Sequence, residues 1–137
     1  MYDGKIITVQ DVVFDNAADK AAWVVNASAV YALFSAQGHV GYIADTGGLT
    51  LGIVEIFDDE ASFLYAEGKF GANTTITGLI GKYAMTVYFG GVITPKVQAR
   101  LDEWNQAPRF TCLKVPASSA MGTKIGGALK SKGSCFV

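Results

Sequence analysis

The sequence predicts an α+β fold: an antiparallel sheet of β-α-β-β-α-β order that carries its helices on one face. Three observations lead there. Strand-like and helix-like periodicities alternate along the chain in that order and end in one more helix. The middle two strands are joined by Asp45-Thr46-Gly47-Gly48, residues that tolerate positive φ in a hairpin turn. The second arm of that hairpin, Leu49 to Phe57, is largely apolar on both faces, as in a central strand covered from both sides.

Each element has a local reason. Lys5 to Phe14 is rich in β-branched and aromatic residues and reads as the first strand, interrupted by Gln10 and Asp11. Asp15 or Asn16 offers an N-cap, and a helical pattern runs on to about Gln37, with Trp23, Ala27, Val30 and Phe34 on one face. Gly38 supplies the stop. Val40 to Ala44 and Leu49 to Phe57 form the hairpin. Asp58 or Asp59 caps a second helix from Glu60 to about Glu67, which Gly68 and Gly71 are expected to break. A helical piece from Thr74 to Ile80 and a strand from Ala84 to Phe89 follow. Thr94-Pro95 is a strong helix start, with Thr94 as cap and Pro95 at the first helical position.

The chain has 137 residues, enough for one secure core. Residues 1–106 form the α+β domain; residues 107–137 form an extension with an edge strand at Phe110 to Val115 and a flexible basic tail. That tail reads as a solvated or docked end rather than a nucleic-acid arm. Half of the residues are hydrophobic (50%), 17% are charged and the net charge is −1, which excludes wholesale disorder and gives no basic field for nucleic acid. No apolar run reaches membrane-spanning length, and Met1-Tyr2-Asp3-Gly4-Lys5 does not open like a signal peptide. Cys112 and Cys135 match no zinc spacing and make a poor disulfide framework, so a reducing cytoplasm is the simplest home. The outer sheet face needs a cover that the chain has too few elements to supply. A second copy would provide it, giving a homodimer closed sheet on sheet.

Two ionisable residues are candidates for chemistry. His39, the single histidine, follows Gly38 where a helix meets a strand, and could sit at a pocket mouth as a general base or cap the helix. Glu55 lies between Ile53 and Phe57 on an apolar strand face, where a carboxylate is costly without a partner. It is either a proton acceptor or a structural contact to Lys82, Arg100 or Lys5. Trp23, Tyr31, Phe34, Tyr42, Phe63 and Tyr65 could line an apolar pocket for a planar aromatic ligand, or simply fill the core. No P-loop, nucleophile elbow or two-His metal site is present in the sequence, so neither a metal nor a cofactor is expected.

The passage Gly52-Ile53-Val54-Glu55-Ile56-Phe57-Asp58-Asp59-Glu60-Ala61-Ser62-Phe63 resembles the strand-to-helix passage of the antibiotic-biosynthesis-monooxygenase-like family. Val87 to Pro95 resembles a strand and helix start of some of its members. The resemblance covers roughly Lys5 to Trp104 and implies a ferredoxin-like, dimeric α+β barrel. It also implies a cofactor-independent monooxygenase of small phenols or quinols. His39 or Glu55 would take the substrate's proton, and Tyr42 or Tyr65 would donate hydroxyls. Tyr65 stands where members commonly carry a His, and the Asn, Trp and His set of the haem-degrading branch has no counterpart here. The other reading is a non-catalytic small-molecule-binding or structural homodimer of the same fold.

Overall fold

The computed structural model describes residues 4–34 and 37–114. The strands are β1 (Ile6–Phe14), β2 (His39–Gly47), β3 (Thr50–Phe57), β4 (Tyr83–Gly91) and β5 (Phe110–Lys114). The helices are α1 (Ala17–Tyr31), α2 (Glu60–Ala72), α3 (Thr74–Leu79) and α4 (Pro95–Trp104). One sheet holds all five strands in the order β2-β3-β1-β4-β5. β1 is central and antiparallel to both β3 and β4, β2 is antiparallel to β3, and β5 joins β4 in parallel. The architecture is therefore ferredoxin-like with one added edge strand, the strand expected near residue 110.

Capping residues set where the helices begin. The side chain of Asn16 accepts from Asp19 N–H, that of Asp59 from Ser62 N–H, and that of Thr94 from Val97 N–H. Two helix ends differ from expectation. α1 stops at Tyr31 rather than near Gln37, and α2 runs through Gly68 and Gly71 to Ala72. A glycine costs a helix only about 1 kcal/mol, and the packing of Phe63, Ala66 and Phe70 against the core outweighs that. Gly91, at φ +88°, ends β4 where a Cβ would fall 1.9 Å from the Lys5 carbonyl oxygen, so only glycine allows this approach to β1.

Side chains alternate strictly between the two sheet faces. The inner face carries Ile6, Thr8, Gln10, Val12 and Phe14 from β1, Leu51, Ile53, Glu55 and Phe57 from β3, and Tyr83, Met85, Val87 and Phe89 from β4; all are buried. The helices cover this face with Trp23, Ala27, Phe63, Ala66, Val97 and Leu101. Lys20 clamps α1 to the hairpin, its ammonium donating to Asp45 Oδ1 at 2.7 Å and to the Gly48 carbonyl at 2.9 Å. On the outer face Val13, Val40, Tyr42 and Val54 are exposed, whereas Ile7 is buried.

Cys112, on β5, is disulfide-bonded. This corrects the reading of the two cysteines as a poor disulfide framework and removes its ground for a reducing compartment. Separation along the chain does not report the Cα distance of roughly 4.4–6.8 Å that a bridge requires. No helix among the described residues is long and apolar enough to cross a membrane. The basic tail expected after Val115 lies outside the described residues.

Candidate functional site

Alternation along β1 and β3 brings polar residues to the inner face at one level of the sheet. Glu55 is paired in register with Thr8 on one side and Gly41 on the other, and Gln10 lies two residues further along β1. The Glu55 carboxylate is surrounded by donors. Oε2 accepts from the Gln10 amide at 2.6 Å and from the Thr8 hydroxyl at 3.2 Å. Oε1 accepts from the Tyr31 hydroxyl at 3.1 Å and lies 3.2 Å from His39 Nε2. None of the three cations weighed as partners reaches it: Lys5 pairs with Asp58, and Arg100 with Glu67 and Glu103; Lys82 makes no ion pair among the described residues.

Gly41 makes room for this cluster. A Cβ there would lie 2.9 Å from Tyr31 Cε1 and 3.1 Å from His39 Cε1. Its absence lets the His39 ring lie between those of Tyr31 and Phe57, with centroids 5.5 and 4.6 Å away. Burial, the neighbouring Glu55 charge and the Glu55 hydrogen bond push the Tyr31 phenol well above the ordinary tyrosine range. Its hydroxyl stays protonated and acts as a fixed donor.

Between this face and the helices lies a cavity of about 270 Å³. Gln10, Glu55, Tyr83 and Met85 line it from the sheet. Trp23 and Tyr31 reach it from α1, Glu67 and Phe70 from α2, Ile76 and Thr77 from α3, and Arg100, Glu103 and Trp104 from α4; Phe110 lines it from β5. The lining is therefore aromatic, with carboxyl groups at two ends. At the helix end the Glu67 side chain is only 9% exposed and accepts from Arg100 Nε at 3.1 Å. Arg100 also pairs with Glu103. Burial pushes the Glu67 carboxyl up to about 8, Arg100 opposes that shift and Glu55 adds to it. Burial likewise pushes the Tyr83 hydroxyl up to about 12, so it too remains a donor near neutrality. The buried Trp23 Nε1 interacts with Tyr83 yet has no partner in hydrogen-bonding geometry among the described residues.

Of the residues singled out from the sequence, Glu55, Trp23 and Tyr31 reach the cavity. His39 stands one layer behind its wall, touching Glu55, rather than at a pocket mouth or a helix end. Phe34 and Phe63 are buried core residues away from the cavity. Tyr42 is 68% exposed on the outer sheet face. Its parity follows from β2 starting at His39, which puts 39, 41 and 43 inside and 40 and 42 outside. Tyr65 lies on the outer side of α2, edge-on to Phe34 and 38% exposed. Neither tyrosine can donate to a ligand in this cavity. Tyr31 and Tyr83 line the cavity in their stead, and Tyr83 was not among the residues singled out from the sequence. Glu67 was missed because it was read as the end of its helix, and Arg100 was weighed only as a partner of Glu55, whereas it pairs with Glu67. The signal was there in the apolar spacing of Phe63, Ala66 and Phe70, which continues through it.

Among the described residues no group of three or more His, Cys, Asp or Glu could hold a metal ion. No protein-family model matches the chain, and no curated protein matches it by sequence. Solved structures do match by shape. SnoaB, a cofactor-independent oxygenase from Streptomyces nogalater, aligns over 66% of this chain and 95% of its own at 14% identity and a TM-score of 0.51. A dimeric ferredoxin-like protein from an uncultured marine organism aligns over 67% and 90% at 12% identity and a TM-score of 0.51. MupZ from Pseudomonas fluorescens aligns over 83% and 92% at 8% identity and a TM-score of 0.52. The fold implied by the resemblance to the antibiotic-biosynthesis-monooxygenase-like family is thus the fold of this chain.

Proposed function

We propose that the chain is a homodimeric, cofactor-independent monooxygenase-like enzyme that oxidises a small phenol or quinol in the cavity between sheet and helices. The observation that carries this reading is the Glu55 carboxylate facing a cavity walled by Trp23, Tyr31, Phe70, Tyr83, Trp104 and Phe110. The volume favours one or two rings, since a cavity of about 150 Å³ already admits benzene. Apolar walls would keep water from a reactive anion.

Glu55 Oε1 or Oε2 takes the proton of the bound phenol. His39 and Tyr31 hold that carboxylate in place and share its charge. The phenolate then reacts with dioxygen at a ring carbon. One oxygen atom becomes the new carbonyl and the other leaves as water, so that phenol plus O₂ gives quinone plus water. The orphan N–H of Trp23 suits the oxygen of such a ligand. The exposed Val40, Tyr42 and Val54 on the outer face suit a second subunit, and one protein of the same fold is described as dimeric.

A second reading has its own support. Both Glu55 oxygens are already engaged by protein donors, which suits a structural carboxylate in a binding protein that does no chemistry. 1-Naphthol separates the two readings. Enzyme predicts oxygen uptake with formation of naphthoquinone, reduced about a hundredfold in Glu55→Gln and also lowered in His39→Ala. Binding without oxygen uptake leaves the carrier reading standing and ends the catalytic one.

A further inference from the structure

We propose that Glu67 is a second proton-handling residue of this cavity, protonating the peroxide formed on the substrate and then taking back the proton of the ring carbon. This rests on the oxygenase reading above. Glu67 lines the same cavity as Glu55 but enters it from α2, on the opposite wall. Its side chain is 9% exposed, and among the described residues its hydrogen bonds and ion pair come from α4. The reaction as written moves protons twice after the phenol is ionised, at the peroxide and at the departing hydroxide. Glu55 holds the phenol proton for one of these transfers, and Glu67 lines the same cavity from the helix side, where it can serve the other.

The proton balance closes with two carboxyl groups. Glu55 removes the phenolic proton. The C–O bond to dioxygen forms, and the resulting peroxide anion takes the proton of neutral Glu67. Glu67, now a carboxylate, removes the hydrogen on the oxygenated carbon. That C–H pair becomes the second bond of the carbonyl and the O–O bond breaks. The departing hydroxide takes the proton held on Glu55 and leaves as water. Both residues end as they began, and dioxygen is the only oxidant.

The surroundings of Glu67 suit a group that holds and releases a proton near neutrality. Arg100 and Glu103 face it from α4, Glu55 from β3, Tyr31 from α1 and Tyr83 from β4. Arg100 is the cation of this set, and it divides its guanidinium between Glu67 and Glu103. The attraction that would hold Glu67 ionised is thereby shared, and burial outweighs it, placing the carboxyl at about 8.

Infrared difference spectroscopy and 1-naphthol turnover test this together. The carbonyl band of a buried carboxylic acid should appear at neutral pH in wild type and in Glu55→Gln, and be missing from Glu67→Gln. The Glu67→Gln protein should bind 1-naphthol within about twofold of wild type, yet form naphthoquinone about a hundredfold more slowly. Glu67→Asp should recover part of that rate. Wild-type turnover should fall as pH rises through about 8, and the residual rate of Glu67→Gln should lack this limb. An absent band, or a Glu67→Gln protein with wild-type rate and limb, overturns the proposal. If wild type binds 1-naphthol but does not oxidise it, the oxygenase reading falls and this role falls with it. That failure is recognisable because wild type is then already inert.

Discussion

The sheet end and the helix end of the cavity both bury a carboxyl group, by opposite means. Glu55 is held by four side chains that the strand register and α1 bring to fixed positions: Thr8, Gln10, Tyr31 and His39. Glu67 is held from α4 alone among the described residues, by Trp104 and by one guanidinium that it shares with Glu103. A carboxylate with all its acceptor sites filled is fixed in place, because moving it strands several donors at once. A carboxyl held by a divided cation can change its protonation with little rearrangement. The two carboxyl groups thus differ in how rigidly their partners hold them.

The largest test of that contrast is Glu55→Ala. It leaves the buried donors of Thr8, Gln10 and Tyr31 without their acceptor, and each such group costs about 1–3 kcal/mol. Urea denaturation should show a loss of at least about 3 kcal/mol, whereas Glu67→Ala should cost less. The second test is the pH dependence of stability. The Glu67 carboxyl goes from 4.5 in the unfolded chain to about 8 in the folded one, so the folded state holds its proton more tightly. Its contribution is fully present below pH 4.5, declines as pH rises and is lost by about 8. Unfolding free energy should therefore drop over that interval in wild type and drop less in Glu67→Gln.

Smaller effects probe the sheet end alone. Gly41→Ala puts a methyl group against Tyr31 and His39; it should cost about 1–2 kcal/mol and weaken 1-naphthol binding, both measurable by titration. Tyr31→Phe removes one donor to Glu55 and should cost about 1 kcal/mol in the same denaturation assay. Tyr42→Ser, on the outer face, should change subunit stability by no more than about 0.5 kcal/mol. Light scattering should nevertheless show weaker self-association if that face joins two copies.

The same contrast explains what could be read in the sequence. Glu55 was visible as a charge in the wrong place, because period-two alternation put it between Ile53 and Phe57 on an otherwise apolar face. The caps at Asn16, Asp59 and Thr94 were visible for a similar reason: each is a local pattern of a few residues. The partners of Glu55 were not, since Thr8 and Gln10 meet it only through the β1–β3 register. Tyr42 was assigned to the wrong face because the start of β2 at His39 fixes its parity, and that start is set by pairing with Phe57. Glu67 was hidden by Gly68, a residue whose intrinsic preference the packing of α2 overrides.

The last strand also has a bearing on how the molecule is made. β1, synthesised first, has to wait for both β3 and β4 before its hydrogen bonds are complete, and such distant pairings slow folding. Phe110 arrives later still, on a strand that adds in parallel after α4. On the ribosome the lining of the cavity is incomplete until that residue has emerged. A compound that lodges there therefore distinguishes finished molecules from unfinished ones. It would stabilise only the finished ones, by RT ln(1 + [L]/Kd).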